Sequence, residues 1–223
     1  RNKNYHLLAD NPQIDVITGT ASFEDNHQVK VKTYNNEDIL LSADKIFINT
    51  GAKEFIPNIK GVENKGVFTS KTLLDYDKLP KTMSIIGGGY IGLEFASMYS
   101  SFGSKVTVIE FGQELISRED RDVADSIKQC LEEKGVRFIL NADTKEIRQR
   151  GENNIIVYKD RTTNQENEVE SEIVLIAIGR RPNIEGLNLE KAGVETTERG
   201  AIKTNEYLQT SQNHIYAMGD VAG

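Results

Sequence analysis

Apolar positions along this chain recur with two periods, and the breaks between them mark the elements. Over residues 83–110 a short apolar run, 83–86, leads into a glycine-rich turn. Ile91, Leu93, Phe95, Ala96, Met98 and Tyr99 follow at helical spacing as far as Phe102-Gly103. A β-branched run, 105–109, then ends in Glu110. The pattern predicts strand, glycine turn, helix and strand.

The stretches around this unit repeat the same vocabulary. Residues 1–13 read as the end of a helix containing Leu7 and Leu8, broken at Asn11-Pro12. Residues 14–18, 28–33 and 39–41 read as strands of a small antiparallel meander, with turns at Asn26-His27 and Asn35-Asn36. Residues 45–49 form a further strand that runs into Thr50-Gly51-Ala52, an ending that lets another backbone or a ligand come close. Residues 69–77 predict a short helix ended by Leu79-Pro80. Beyond Glu110 comes a loop over 111–117. A helix over 118–135 then carries Val123, Ala124, Ile127 and Leu131 on one face, with Gly135 as its cap. A strand at 136–140 precedes a second meander at 144–150, 155–159 and 168–171. Residues 173–178 are continuously apolar, as in a strand buried on both faces. Residues 201–217 are strand-like again and end at Met218-Gly219-Asp220. Two strands end in glycine in the same way, at 48–51 and at 177–179, which predicts two related nucleotide-binding domains, one interrupting the other.

Composition narrows the class. With 223 residues, 38% hydrophobic and 27% charged, the chain can bury a core and is not a disordered one. A net charge of -7 argues against non-specific binding to nucleic acid or to an anionic membrane, and no run reaches the length of a membrane span. The single cysteine, Cys130, excludes a disulfide framework and predicts a cytoplasmic setting; its place in a helical pattern reads as a small core residue. The chain opens at Arg1 without targeting character and closes directly after a motif, so both ends read as cut from a longer protein.

The glycine turn carries the candidate chemistry. Gly87, Gly89 and Gly92 stand in G-x-G-x-x-G spacing between strand and helix. In that context the first glycine makes the tight turn, the second admits a pyrophosphate and the third lets helix and strand pack closely. The N–H groups and positive end of the helix then face the phosphates. Glu110, 18 residues beyond Gly92, ends the second strand, where a carboxylate accepts hydrogen bonds from an adenosine ribose. The acid favours NAD over NADP, whose 2′-phosphate it would repel. Arg118 is the one nearby cation that speaks for NADP. A purely structural glycine turn with a solvated glutamate is the alternative.

Five stretches in register resemble the FAD-dependent pyridine nucleotide-disulfide oxidoreductases: INTGA at 48–52, GGGYIGLE at 87–94, the strand ending in Glu110, AIGRRPN at 177–183 and IYAMGDVAG at 215–223. Within that family, GGGYIGLEFASMYSSFGSKVTVIE, SREDRDVADSI, ILNA and ERGAIKT are similar to the reactive-chlorine-resistance type, itself akin to mercuric reductases and dihydrolipoamide dehydrogenases. The resemblance implies an α/β architecture. A Rossmann-like NAD(H)-binding domain with a β-meander, residues 79–190, is inserted into an incomplete FAD-binding domain, residues 1–78 and 191–223. It implies that Gly87, Gly89, Tyr90, Ile91, Gly92, Glu110 and Gly179 meet NAD(H), and that Thr50, Gly51 and Asp220 meet FAD. Asp220 also reads as a helix N-cap. Tyr90 resembles the gate whose ring covers the flavin until nicotinamide displaces it, and a core or surface aromatic on the first helical turn is the alternative. Glu94 matches a flavin-facing glutamate whose lysine partner lies upstream, and Arg180 is either a nicotinamide contact or a plain surface arginine. The implied reaction passes hydride from NAD(P)H to FAD and on to a redox disulfide or a small-molecule oxidant, in a homodimer formed through a C-terminal domain. The family's FAD glycine motif and C-x-x-x-x-C pair do not occur in these residues, so the chain alone is expected to be inactive and colourless. His6, His27 and His214 read as surface or turn residues. An NADH oxidase type of flavoprotein and a non-catalytic NADH-sensing module are the alternatives.

Overall fold

The structure, a computed structural model, describes residues 2–223. In chain order the elements begin with α1 (Asn2–Ala9), β1 (Gly19–Phe23), β2 (Gln28–Thr33), β3 (Asp38–Ser42), β4 (Ile46–Ile48) and β5 (Ala52–Glu54). There follow β6 (Val67–Thr69), α2 (Ser70–Leu73), β7 (Thr82–Ile86), α3 (Tyr90–Ser101), β8 (Lys105–Ile109), α4 (Arg121–Glu133) and β9 (Arg137–Ile139). The remainder are β10 (Ala142–Arg150), β11 (Asn153–Asp160), β12 (Glu166–Ser171), β13 (Ile173–Ile176), β14 (Arg180–Pro182) and β15 (Ile215–Ala217), with a 3₁₀ turn at Gly219–Val221. The chain forms two compact units, one of residues 1–53 and 181–223, the other of residues 54–180. Pro80, the linker position read from the sequence, falls inside the second unit, because β6 pairs with β13 and α2 buries Leu73 in the same core.

The second unit is built on a five-stranded parallel sheet in the order β6-β13-β7-β8-β9. Of its interior strands β13 is apolar throughout and β7 and β8 are mostly so, because both faces are covered. Met83, Ile85, Val106, Val108, Ile173 and Leu175 join the core with Leu93, Phe95 and Ala96 of α3 and Ala124 and Leu131 of α4. The alternate residues Ile86, Ile109, Val174 and Ile176 join a second core with Ile147, Ile156, Tyr158 and Val169 of the antiparallel meander β10-β11-β12. The period-two alternation thus sends one set of side chains to the helices and the other to the meander.

In the first unit β1, β2 and β3 form an antiparallel meander, and β4 pairs in parallel with β15. Phe23, Ile48, Leu189, Ile202, Ile215, Ala217 and Val221 make its core.

Several elements differ from the sequence expectation. Residues 14–18 are not a strand: pairing begins at Gly19, whose partner is Thr33, and nothing in the described residues pairs with the stretch before it. The helix expected over 69–77 is one turn long, opened by a capping box between Thr69 and Thr72. Helix α4 starts at Arg121 behind the N-cap Asp120, with Gly135 just past its end at φ 84°. Cys130 is exposed, and so is Val123. The buried stripe runs Ala124, Ile127, Leu131, and a residue six positions after Ala124 points about 120° away from it. Of residues 201–217, only 215–217 form a strand; Ile202 and Gln209 make isolated bridges.

Candidate functional site

The glycine turn links β7 to α3 at the end of the parallel sheet where strands run out. Gly87 has φ 112°, and a methyl there would lie 2.4 Å from the Ala177 carbonyl oxygen at the end of β13. Only glycine fits this turn, because the neighbouring strand passes at backbone contact. Gly92 is equally constrained: a methyl would lie 2.1 Å from the Gly87 carbonyl oxygen. Gly89 differs. It is the N-cap of α3 in extended conformation, and nothing lies within 4 Å of where its methyl would be. No side chain caps α3 and its first turn holds no acid, so the N–H groups there face an open space.

That space is a cleft of about 870 Å³. Its walls are Ile86 to Ile91, Ile109 to Phe111, Glu114, Ile116 to Arg118, Ala142 to Thr144 and Ala177 to Arg180. Seven of the residues singled out from the sequence come together here: Gly87, Gly89, Tyr90, Ile91, Glu110 and Gly179 line the cleft, and Gly92 packs the helix behind it. Arg118 and Arg180 also line it.

Glu110 is fixed at the end of β8. One carboxylate oxygen accepts from Gly88 N at 2.5 Å and the other from Gly112 N at 2.7 Å. Two backbone donors hold the anion against the turn, and its remaining lone pairs can accept from hydroxyl groups in the cleft.

Tyr90 opens α3 and is 54% exposed. Its hydroxyl donates to Glu119, a contact the sequence did not reveal. That hydrogen bond is the main cause that holds the phenol above its ordinary range, with burial and the Glu119 charge adding to it. Glu94, one turn along the helix, is exposed and makes no ion pair among the described residues. Phe111 lies beside Glu110 under the Arg161 guanidinium, 4.0 Å from its ring centre, a contact that the sequence also did not reveal.

Thr50, Gly51 and Asp220 belong to the first unit. The Thr50 hydroxyl donates to the Asn183 carbonyl at 2.7 Å, and Asn183 N donates to the Gly51 carbonyl at 2.9 Å. Met218 N donates to the Ile48 carbonyl, which sets the Met218-Gly219-Asp220 turn beside Asn49 at the ends of β4 and β15. Asp220 is exposed in the first turn of the 3₁₀ segment; the N-cap is Met218, so the capping role expected for Asp220 is not made. His27 and His214 stack at 4.0 Å, with His214 Nε2 at 2.6 Å from the Asn26 carbonyl, so both serve a turn contact. No cluster of three or more His, Cys, Asp or Glu is arranged to hold a metal among the described residues, and no helix there is long and apolar enough to cross a membrane.

A parallel sheet with a glycine turn into a helix and an acid closing the next strand defines a dinucleotide-binding class of fold. The pyridine nucleotide-disulphide oxidoreductase family matches residues 1–223, and the chain belongs to that family. It is 44% identical over 224 residues to the probable pyridine nucleotide-disulfide oxidoreductase RclA of Escherichia coli, covering 100% of this chain and 49% of that protein. It is 37% identical to a mercuric reductase of Lysinibacillus sphaericus, over 99% of this chain and 39% of the relative. The solved structure of the HOCl-induced flavoprotein disulfide reductase RclA from Escherichia coli superposes with a TM-score of 0.91 at 42% identity, covering 100% of this chain and 49% of that one. The chain spans about half the length of the RclA relative it matches.

Proposed function

We propose that this chain is the NADH-binding part of a flavin-dependent oxidoreductase, with the second unit, residues 54–180, as the nicotinamide nucleotide domain and the first unit as part of an FAD-binding domain. The observation that carries the reading is Glu110. Its carboxylate is held on the N–H groups of Gly88 and Gly112 at the rim of the cleft, beside the uncapped start of α3. An anion-binding helix terminus and a hydroxyl-accepting carboxylate together suit a pyrophosphate flanked by a ribose. The acid disfavours a 2′-phosphate, so NADH is preferred over NADPH. Gly179, which lines the cleft with open space at its α-carbon, borders the nicotinamide.

The residues of the first unit suit FAD. Thr50-Gly51 and Gly219-Asp220 follow adjacent parallel strands, the place where open α/β sheets bind nucleotides. Asp220 would accept from a ribityl or ribose hydroxyl. The two cofactors supply hydride transfer; the chain's own residues bind, orient and exclude water. Tyr90 and Glu94, both exposed on α3, are the residues that the family resemblance assigns to that reaction. In the intact protein the electrons pass to a small-molecule substrate, as the disulfide reductase and mercuric reductase relatives suggest by name.

Titration of the chain and its Glu110→Ala variant with NADH and NADPH tests the reading. Losing hydrogen bonds to a charged group should weaken NADH about tenfold or more and leave NADPH nearly unchanged. An unaltered preference in the variant would sink the role of Glu110.

A further inference from the structure

The segment after Glu110 is held by a part of the chain fifty residues away. Arg161, at the turn between β11 and β12, donates from Nη1 to the Phe111 carbonyl at 3.0 Å and lays its guanidinium over the Phe111 ring at 4.0 Å. Backbone bonds complete the tie: Arg161 N to the Asn141 carbonyl at 2.8 Å, Asn141 N to the Gly112 carbonyl at 2.8 Å, and Ala142 N to the Glu110 carbonyl at 2.9 Å. Phe111 is thereby fixed while remaining 55% exposed along the wall of the cleft. A flat aromatic ring beside the carboxylate proposed for the ribose is complementary to a purine base, which has a π-face of its own. A guanidinium on a ring adds cation–π attraction and stiffens the ring's position.

Resting on the NADH reading above, we propose that Phe111 is the wall against which the adenine of the dinucleotide packs. Arg161, supplied by the meander, is the positioning residue that holds it there. Arg161 acts through Phe111 and not on a phosphate, since its guanidinium is engaged by the Phe111 carbonyl and ring.

The test compares NADH with reduced nicotinamide mononucleotide, which lacks the adenosine half, by calorimetric titration of the whole chain. Phe111→Ala should raise the NADH Kd about five- to a hundredfold, the range of a lost base–aromatic stack. Arg161→Ala should raise it about two- to fivefold. Both should leave the mononucleotide Kd within twofold. The double variant should bind NADH no worse than Phe111→Ala alone. Equal losses for NADH and the mononucleotide would overturn the inference and leave the NADH reading intact. So would additive losses in the double variant, or an Arg161→Ala loss confined to NADPH. Failure of the unsubstituted chain to bind NADH at all would overturn the functional reading and this inference with it.

Discussion

Gly89 and Gly92 stand three residues apart in one motif, yet the structure gives an added methyl opposite consequences at the two. At Gly92 the methyl carbon would fall 2.1 Å from the Gly87 carbonyl oxygen and 3.3 Å from Ile85 Cγ2, roughly 1 Å inside the closest tolerable contact. The oxygen belongs to a backbone turn pinned at φ 112°, so relief requires α3 to move off β7. Overpacking of this kind costs about 1–3 kcal/mol, and the rigid neighbour puts Gly92→Ala near 3. Replacing a glycine by alanine in the first turn of α3 returns up to about 1 kcal/mol. The net loss of about 2 kcal/mol should lower Tm by about 4–8 °C in a chain of this size. At Gly89, φ is -81° and the space is empty, so alanine should change stability by no more than about 0.5 kcal/mol. Its methyl instead occupies the approach to the first N–H groups of α3. Loss of a charge-assisted hydrogen bond to pyrophosphate should then weaken NADH at least about tenfold. Thermal unfolding by circular dichroism and calorimetric titration of both variants measure the two effects. The reasoning fails if Gly89→Ala binds NADH within twofold of the parent, or if Gly92→Ala melts within 1 °C of it.

Three other outcomes follow from particular contacts. The N–H groups of Thr163 and then Thr162 hold the Asp160 carboxyl below its ordinary value. Its stabilisation of the β11–β12 turn is therefore present above the unfolded carboxylate pKa near 4 and lost as pH falls through the lower folded value. The urea midpoints of the parent and Asp160→Ala should differ at pH 7 and converge under strong acid; a gap that persists there contradicts the assignment. Glu119→Ala removes the acceptor that is the main cause raising the Tyr90 phenol, so Tyr90 should ionise at lower pH in that variant. Phenolate absorbance, taken as a difference against Tyr90→Phe, reads this directly, and an unmoved titration would refute the contact. Cys130 is exposed, so the native chain should react with one equivalent of an aromatic disulfide reagent without prior unfolding; reaction only in denaturant would place the thiol in the core.

What the sequence made legible were features set by local spacing. The limits of β8 were readable because a run of four β-branched residues, Val106 to Ile109, lies between a glycine-ended helix and an acid. The buried strand β13 was readable because residues covered on both faces cannot alternate. The glycine turn was readable because its requirements are steric and fall on single positions. Residues 14–18 were misread because an apolar stretch needs a partner to become a strand, and pairing is not a local property. Cys130 was misread because helical periodicity shows that a stripe exists, while the side of it on which one residue falls depends on where the helix docks.

The contacts that shape the cleft were illegible for the same reason, carried further. Tyr90 meets Glu119 across 29 residues and Phe111 meets Arg161 across 50, and neither pair has a spacing that would flag it. Arg161 reaches Phe111 because the meander covers the face of the sheet formed by Ile86, Ile109, Val174 and Ile176. Asn141, at φ 54°, turns the chain from β9 into that meander beside Gly112. Packing the second face of the sheet therefore fixes where Arg161 arrives. A substitution in that core, such as Ile156→Ala at a fully buried position, should be felt twice: as a loss of about 2–5 kcal/mol in stability and as a weakened hold on Phe111. If the meander served only to cover the sheet, the same variant below its melting temperature would bind NADH as the parent does.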